Sequence, residues 1–214
     1  MADDKRLFLV DAYALIFRAY YAFMRNPMYN AEGFNTSCVF GFVNALEEVL
    51  AKERPTHIAV AFDPSGPNFR HKLFPKYKAN RDETPEDIKK SVPYIKDILR
   101  AYGIPILQVD GFEADDVIGT IAKKAEEDGY TVYMMTPDKD FIQLLSKRIF
   151  IYKPSRTGSG IEVVDSAKAC GEFQLTDPKQ FIDILGLMGD AADNIPGAPG
   201  VGGRASRGGP ARAL

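Results

Sequence analysis

Apolar residues fall along this chain in two alternating rhythms. Short runs in which almost every position is apolar, at 6–10, 57–62, 104–109, 130–136 and 149–152, have the length and composition of buried strands. Between them, over 12–24, 37–52, 85–102, 114–128 and 139–145, apolar residues return every three or four positions, the period of a helix with one buried face. Strands alternating with helices in this way predict an α/β fold, a mostly parallel central sheet flanked by helices. The Gly-rich stretch from Ser155 to Gly160 separates the fifth strand from a sixth over 161–164, which predicts an antiparallel hairpin at the sheet edge. A last helix is expected over 178–188, with Pro178 in its first turn. Beyond Asp190 the rhythm stops. Residues 203–214 carry no apolar periodicity and are expected to be disordered or incomplete.

A chain of 214 residues accommodates one large or two small domains with a sizeable core. Its formal net charge of −2 excludes a global basic field, so any polyanion surface must come from local segregation of charge. Cys38 and Cys170 are far apart and lack zinc-site spacing, which fits buried thiols in a reducing, cytoplasmic setting. The apolar run Leu7–Val10 is too short for a signal peptide, and no stretch approaches membrane-spanning length. A soluble protein without a membrane partner is expected.

The acids are not scattered. In open parallel sheets ligands bind just beyond the carboxyl ends of the strands. Here the first strand is followed by Asp11 and the second by Asp63. The third leads through Asp110 to Glu113, Asp115 and Asp116, and the fourth leads to Asp138 and Asp140. Asp190 and Asp193 follow the last helix at the same three-residue spacing as Glu113 and Asp116. So many carboxylates on one edge repel unless cations are bound, and hard oxygen donors suit Mg²⁺, with Mn²⁺ as a substitute. Such ions in pairs serve phosphoryl transfer to water. Any single acid of this kind also fits a helix cap, the better reading for Asp110 and Asp128. Four strand ends in register are harder to explain so.

The segment from Arg70 to Arg81 adds the opposite charge. It carries Arg70, His71, Lys72, Lys76, Lys78 and Arg81, interleaved with Phe74 and Tyr77 and free of acids, a composition suited to phosphates and splayed bases. Arg18, Tyr20 and Tyr21 stand on the helix after Asp11. No Ser/His/Asp or Cys/His arrangement and no Walker-type loop is present.

Taken together the motifs resemble a known family. Leu9-Val-Asp-Ala-Tyr-Ala-Leu-Ile-Phe-Arg-Ala-Tyr20 is similar to the opening of the 5′-nuclease domain of bacterial DNA polymerases I. Phe62-Asp63, Phe69-Arg70 and Tyr77-Lys-Ala-Asn-Arg81 resemble its second metal motif and helical arch. Gly111 to Gly119, Thr136 to Asp140 and Leu187 to Gly197 resemble its remaining acidic motifs.

The resemblance implies a flap-endonuclease, PIN-like fold over 1–188, with a helical arch at about 69–90 and a helix-hairpin-helix beginning within 189–214. It implies one metal ion served by Asp11, Asp63, Glu113 and Asp115, with Asp116 shared, and a second by Asp138, Asp140, Asp190 and Asp193. Lys78 and Arg81 would act with Asp115 and Asp116 in catalysis. Arg18, Tyr20, Tyr21, Arg70, Lys72, Lys76, Tyr77, Lys78, Arg81, Gly200 and Gly202 would contact DNA. The implied activity is 5′→3′ exonuclease and 5′-flap endonuclease on flaps, nicks, 5′ ends and RNA primers, in replication and repair, by a monomer.

The chain departs from the family pattern after Gly202. Pro210 stands where an apolar helix is expected, as truncation or a shifted frame would produce, which touches the duplex grip and a potassium ion at that hairpin. Two rival readings share the acidic edge. A DNA-binding remnant would bind without cutting, and a PIN-type ribonuclease would prefer RNA.

Overall fold

The computed structural model describes residues 5–155 and 160–201. Its centre is β1 (Arg6–Asp11), which pairs in parallel with β2 (His57–Ala61) on one side and β4 (Thr131–Met135) on the other. β3 (Ile106–Leu107) and β5 (Ile149–Pro154) extend the sheet in parallel, and β6 (Ile161–Val164) closes it antiparallel to β5. The order is β3-β2-β1-β4-β5-β6. This is the α/β architecture that the alternating rhythms predict.

Both faces of the sheet are covered, which is why its strands read as continuous apolar runs. Along β1, Phe8 and Val10 point to the side packed by α1 (Ala12–Phe23), α2 (Ser37–Glu53) and α4 (Glu86–Ala101). Leu7 and Leu9 point to the side packed by α5 (Ala114–Glu127), α6 (Ser166–Phe173) and α7 (Phe181–Met188). A short helix, α3 (Phe69–Leu73), starts the basic segment, and turns carry it on toward α4.

The structure corrects several boundaries. The expected strand at 104–109 shrinks to two residues, because Ile104 still donates to Leu99 O at the end of α4 and Pro105 has no N–H to offer. The helix expected at 139–145 is a 3₁₀ helix, Lys139–Leu144. The helix expected at 178–188 divides into a 3₁₀ turn, Pro178–Gln180, and α7, since the Gln180 side chain folds back to accept the amides of Thr176 and Asp177. Helix α6, capped by Asp165, went unpredicted because it buries only Ala169 and so leaves no periodic trace. After α7 the chain forms a two-residue hairpin, β7 (Gly189–Asp190) with β8 (Ile195–Pro196). Gly189 has φ +68, and a Cβ there would collide with the backbone of Ile195 and Gly197, so glycine sets this hairpin's closeness. The tail 203–214, expected to be disordered or incomplete, and most of the turn between β5 and β6 lie outside the described residues.

Helices α1 and α2 meet without a spacer. A Cβ on Gly41 would stand 2.5 Å from Ala19 Cβ. Gly41→Ala is therefore expected to destabilise by about 1–3 kcal/mol through overpacking, a fall in Tm of roughly 5 °C for a domain of this size. An unchanged thermal melt would mean that the two helices separate at no cost.

Candidate active site

The carboxylates reach one edge because strands and helix starts deliver them there. Asp11 ends β1 and caps α1, its Oδ1 accepting the Ala14 amide at 3.1 Å. Asp63 follows β2, and its Oδ1 accepts the Ala114 amide at 2.6 Å, joining that strand end to the first turn of α5. Glu113 is the N-cap position of α5, with Asp115 and Asp116 in its first turn. Asp138 caps the 3₁₀ helix and accepts the Asp140 amide at 2.8 Å. Asp190 turns the β7–β8 hairpin by accepting the Ala192 amide at 2.8 Å. Capping and site-building are thus the same act here, and the bland reading of each acid accompanies the functional one.

Electrostatics divides the acids into two groups. Glu113, Asp116 and Asp193 are neutralised by the basic segment. Lys78 Nζ lies 2.6 Å from Glu113, Arg70 grips both oxygens of Asp116 at 2.7 Å each, and Arg81 pairs with Asp193. That bidentate grip, with the Glu113 amide, holds the Asp116 pKa below its ordinary value against its burial. The segment is also buttoned to the hairpin: Lys78 N–H donates to Asp193 O, Asn80 to Ala191 O, Arg81 to Ala192 O and Asn194 to Lys76 O. Lys78 adopts φ +56, a left-handed conformation held by these contacts.

The second group has no paired cation among the described residues, although the charge of Lys139 acts on Asp140. Among the described residues, Asp11, Asp63, Asp115, Asp138 and Asp140 form no ion pair. Burial, then the facing charges of Asp11, Asp138, Asp63 and Glu113, push Asp115 up to about 8. Burial and the nearby Asp63 and Asp138 lift Asp11 to about 6, despite donors from Ala14 and Thr136. Burial and Asp138 lift Asp140 to about 6, and its Oδ1 is buried with no hydrogen-bond partner. These acids face one another without converging. Among the described residues no three stand close enough to hold one ion as they are.

Two hollows meet at this cluster. One, about 670 Å³, runs between the basic segment, α5, the 3₁₀ helix and the hairpin. The other, about 490 Å³, lies over Asp11, Asp63, Tyr13 and Phe17. Lys78, Arg81, Glu113, Asp115 and Asp138 line both and form the waist between them.

The remaining expected contact residues are placed unevenly. Arg70 lines the larger hollow, whereas Lys72 and Lys76 are exposed outside both. Arg18, Tyr20 and Tyr21 also lie outside both, on α1, with Tyr21 63 % exposed. A row of rings, Tyr13–Phe17–Tyr21, with centroids 6.3 Å apart at each step, connects that face to the site. Tyr77 departs from expectation. It is only 4 % exposed, its hydroxyl contacts Glu113 and Asp193 at 3.0 Å each, and Lys78 Nζ covers its ring, so it offers no open face to a base. Gly200 has φ +80, while Gly202 and the potassium site expected with it lie outside the described residues.

Sequence reasoning missed Asn68, Thr136, Tyr13 and Phe17. Asn68 caps α3 with its Oδ1 and donates to Glu113 at 2.6 Å. Thr136 is buried beside Asp11. Asn68, just before the Phe69-Arg70 motif, carried a recognisable capping signal; the others look like ordinary packing residues in sequence.

Stability without metal should follow the raised acids. A carboxyl whose folded pKa lies above its unfolded value near 3.8 binds its proton more tightly in the fold. Its stabilisation is complete below that unfolded value and is lost as pH rises through about 6 for Asp11 and Asp140 and about 8 for Asp115. Asp116 acts in the opposite sense, but only as pH falls through its lowered value, below 3.8. In chelator, Tm is expected to fall by on the order of 5 °C between pH 5 and pH 8.5. A flat profile would mean that the cluster relaxes into solvent.

Comparison with known proteins supplies an independent line. Residues 6–174 match the family described as 5′–3′ exonuclease, N-terminal resolvase-like domain. The chain is 39 % identical over 198 residues to DNA polymerase I of Bacillus caldotenax, covering 92 % of this chain and 22 % of that protein. It is 35 % identical over 198 residues to a 5′–3′ exonuclease of Aquifex aeolicus, covering 92 % and 66 %. The chain thus spans less than a quarter of the polymerase. Its fold is similar to a bacteriophage T5 flap endonuclease, solved as a pseudo-enzyme–product complex with DNA and metal ions, at TM-score 0.71 and 23 % identity, over 94 % of this chain and 73 % of that one.

Proposed function

The chain belongs to the 5′–3′ exonuclease family with the N-terminal resolvase-like domain, and from that premise we propose that it hydrolyses phosphodiester bonds at 5′ ends and 5′ flaps of DNA using divalent ions held at the strand-end carboxylates. The observation that carries this reading is the uncompensated group Asp11, Asp63, Asp115 and Asp138, the first two in the smaller lobe of a two-lobed cleft and the last two at its waist beside Lys78 and Arg81.

The donor set fits a hard cation. It is all oxygen, burial and facing charges raise the pKa of Asp11, Asp115 and Asp140, and Asp140 offers a buried oxygen with nothing bound to it. By closing from their present separation, Asp11, Asp63, Asp115 and Asp138 would hold one ion, and Asp140 with Asp190 and Asp193 a second. Mg²⁺ is the expected ion, with Mn²⁺ substituting. When bound, a divalent ion supplies Lewis-acid charge to the phosphate and makes water a better nucleophile.

The chain's own residues do the rest. Lys78 and Arg81 already hold their positive charge at the waist, paired to Glu113 and Asp193. An arriving phosphate can share those cations, which then stabilise charge building on its oxygens. Tyr13 and Phe17 give the smaller lobe an apolar wall against which a base next to the cut bond can lie. Lys72 and Lys76, exposed on the same segment, add phosphate contacts that raise affinity without touching the reaction. The substrate class then includes RNA primers in hybrid duplex, handled by a monomer in replication and repair.

The test is gel analysis of a labelled 5′-flap DNA with and without Mg²⁺. Products that appear only with the ion, from flap DNA and from RNA-primed hybrid alike, are expected. Tight binding with no cleavage would identify a non-catalytic DNA-binding remnant. Cleavage confined to single-stranded RNA would identify a PIN-type ribonuclease.

A further inference from the structure

Two acids of the cleft are tied together by a side chain that carries no charge. Thr136 is the residue after β4 and is 2 % exposed. Its hydroxyl lies 3.2 Å from Asp11 Oδ2, and it accepts the backbone N–H of Asp138 at 3.2 Å. A hydroxyl has one proton to give. With the Asp138 amide donating into the oxygen, that proton is directed at Asp11.

The consequence is geometric. Asp11 Oδ1 is already fixed by the Ala14 amide, so the Thr136 hydroxyl fixes the second oxygen and with it the carboxylate plane. Asp138 is held in turn, its amide by Thr136 and its Oδ1 by the Asp140 amide. A single buried hydroxyl therefore sets acids from two neighbouring strands relative to each other. The β-branched side chain of Thr136 has few χ1 choices, which keeps that hydroxyl in place.

We infer that Thr136 is a positioning residue for the divalent ions, setting the orientation in which Asp11 and Asp138 ligate while binding no ion itself. The inference rests on the metal reading proposed above. Groups that orient ligands from behind are commonly worth 10–100-fold in metal affinity. Removing the hydroxyl frees the Asp11 carboxylate to rotate about its one remaining donor and leaves the Asp138 amide without its acceptor.

The test compares Thr136→Val, which keeps the shape and loses the hydroxyl, with Thr136→Ser, which keeps the hydroxyl. The probe is Mn²⁺ alone, titrated into the DNA-free chain and followed by the EPR signal of free ion. Thr136→Val is expected to weaken Mn²⁺ binding by about 10–100-fold, and Thr136→Ser to stay close to wild type. In flap cleavage, Thr136→Val should need more Mn²⁺ for half-maximal rate yet approach the wild-type kcat at saturation. Thermal melts verify that each variant folds; if Val does not, Ser against Ala carries the same comparison. Equal affinity of wild type and the hydroxyl-free variant, or an equal loss in the Ser variant, overturns the inference alone. A wild-type chain that binds no Mn²⁺ overturns the metal reading and the inference with it.

Discussion

Asp115→Asn is expected to abolish cleavage while the chain still folds and still binds flap DNA. Asp115 stands in the first turn of α5 and faces Asp11, Asp63, Asp138 and Glu113 at once, the most crowded position in the cluster. Asn matches its shape but supplies a neutral, weaker ligand. Lewis-acid stabilisation of the reacting phosphate is worth several kcal/mol, and at 1.36 kcal/mol per tenfold its loss corresponds to a rate about 10³-fold lower or worse.

Two side effects carry a definite sign. Above pH 8, where Asp115 is charged in the absence of metal, removing that charge lowers the cleft's repulsion toward phosphates, so DNA affinity measured there in chelator should hold or improve. The substitution also removes the carboxyl whose pKa is pushed furthest from its ordinary value, so the metal-free variant should melt above wild type at pH 8. Single-turnover cleavage, fluorescence binding and a melt in chelator measure the three together. Cleavage near the wild-type rate would take Asp115 out of the mechanism.

The acids were legible in sequence for a reason particular to this fold. An acid placed directly after an apolar run, as Asp11 and Asp63 are, can only lie at the carboxyl edge once the strands are parallel. A mostly parallel sheet covered by helices followed from the same apolar runs, whereas the order of its strands depends on pairings that no single run records. What stayed hidden depends on contacts distant in the chain. Nothing local to Arg70 says that it will close on Asp116, nor does anything near Tyr77 say that it will be buried between Glu113 and Asp193. Composition suggested a row of cations turned outward to a polyanion. Instead, Arg70, Lys78 and Arg81 turn onto carboxylates, Arg81 still half-exposed, while Lys72 and Lys76 stay on the open side. Thr136 was hidden differently: it opens the motif that runs to Asp140, but nothing there marks its hydroxyl as joining Asp11 to Asp138 until its partners are known. Helix α6 stayed hidden because it buries only Ala169, and β3 was read too long because the bond from Ile104 back to Leu99 depends on where α4 ends.

That turn onto carboxylates separates the cations by role, and Lys78→Ala tests the separation. Lys78 is held in a left-handed backbone conformation, with its amide on Asp193 O and its Nζ on Glu113. Its charge therefore stands at the waist, where both lobes meet. A cation aimed at the reacting phosphate acts on charge that develops during the reaction, and loss of one such donor typically costs 10²–10³-fold in rate. A cation on the open side acts on ground state and transition state alike and mainly adds affinity. Lys78→Ala is thus expected to slow single-turnover cleavage at saturating enzyme by about 10²–10³-fold, with little change in Kd for flap DNA. Ala carries the same Cβ as Lys at this φ, so the substitution adds no backbone strain and the fold should survive. Lys72→Ala, on the outer side of the same segment, is the matched control. It should leave the single-turnover rate alone and reduce the log–log salt slope of binding by about 1. Lys78→Ala behaving like Lys72→Ala, with affinity and salt slope changed and the rate intact, would assign the whole segment to binding and leave the charge at the waist without a catalytic part.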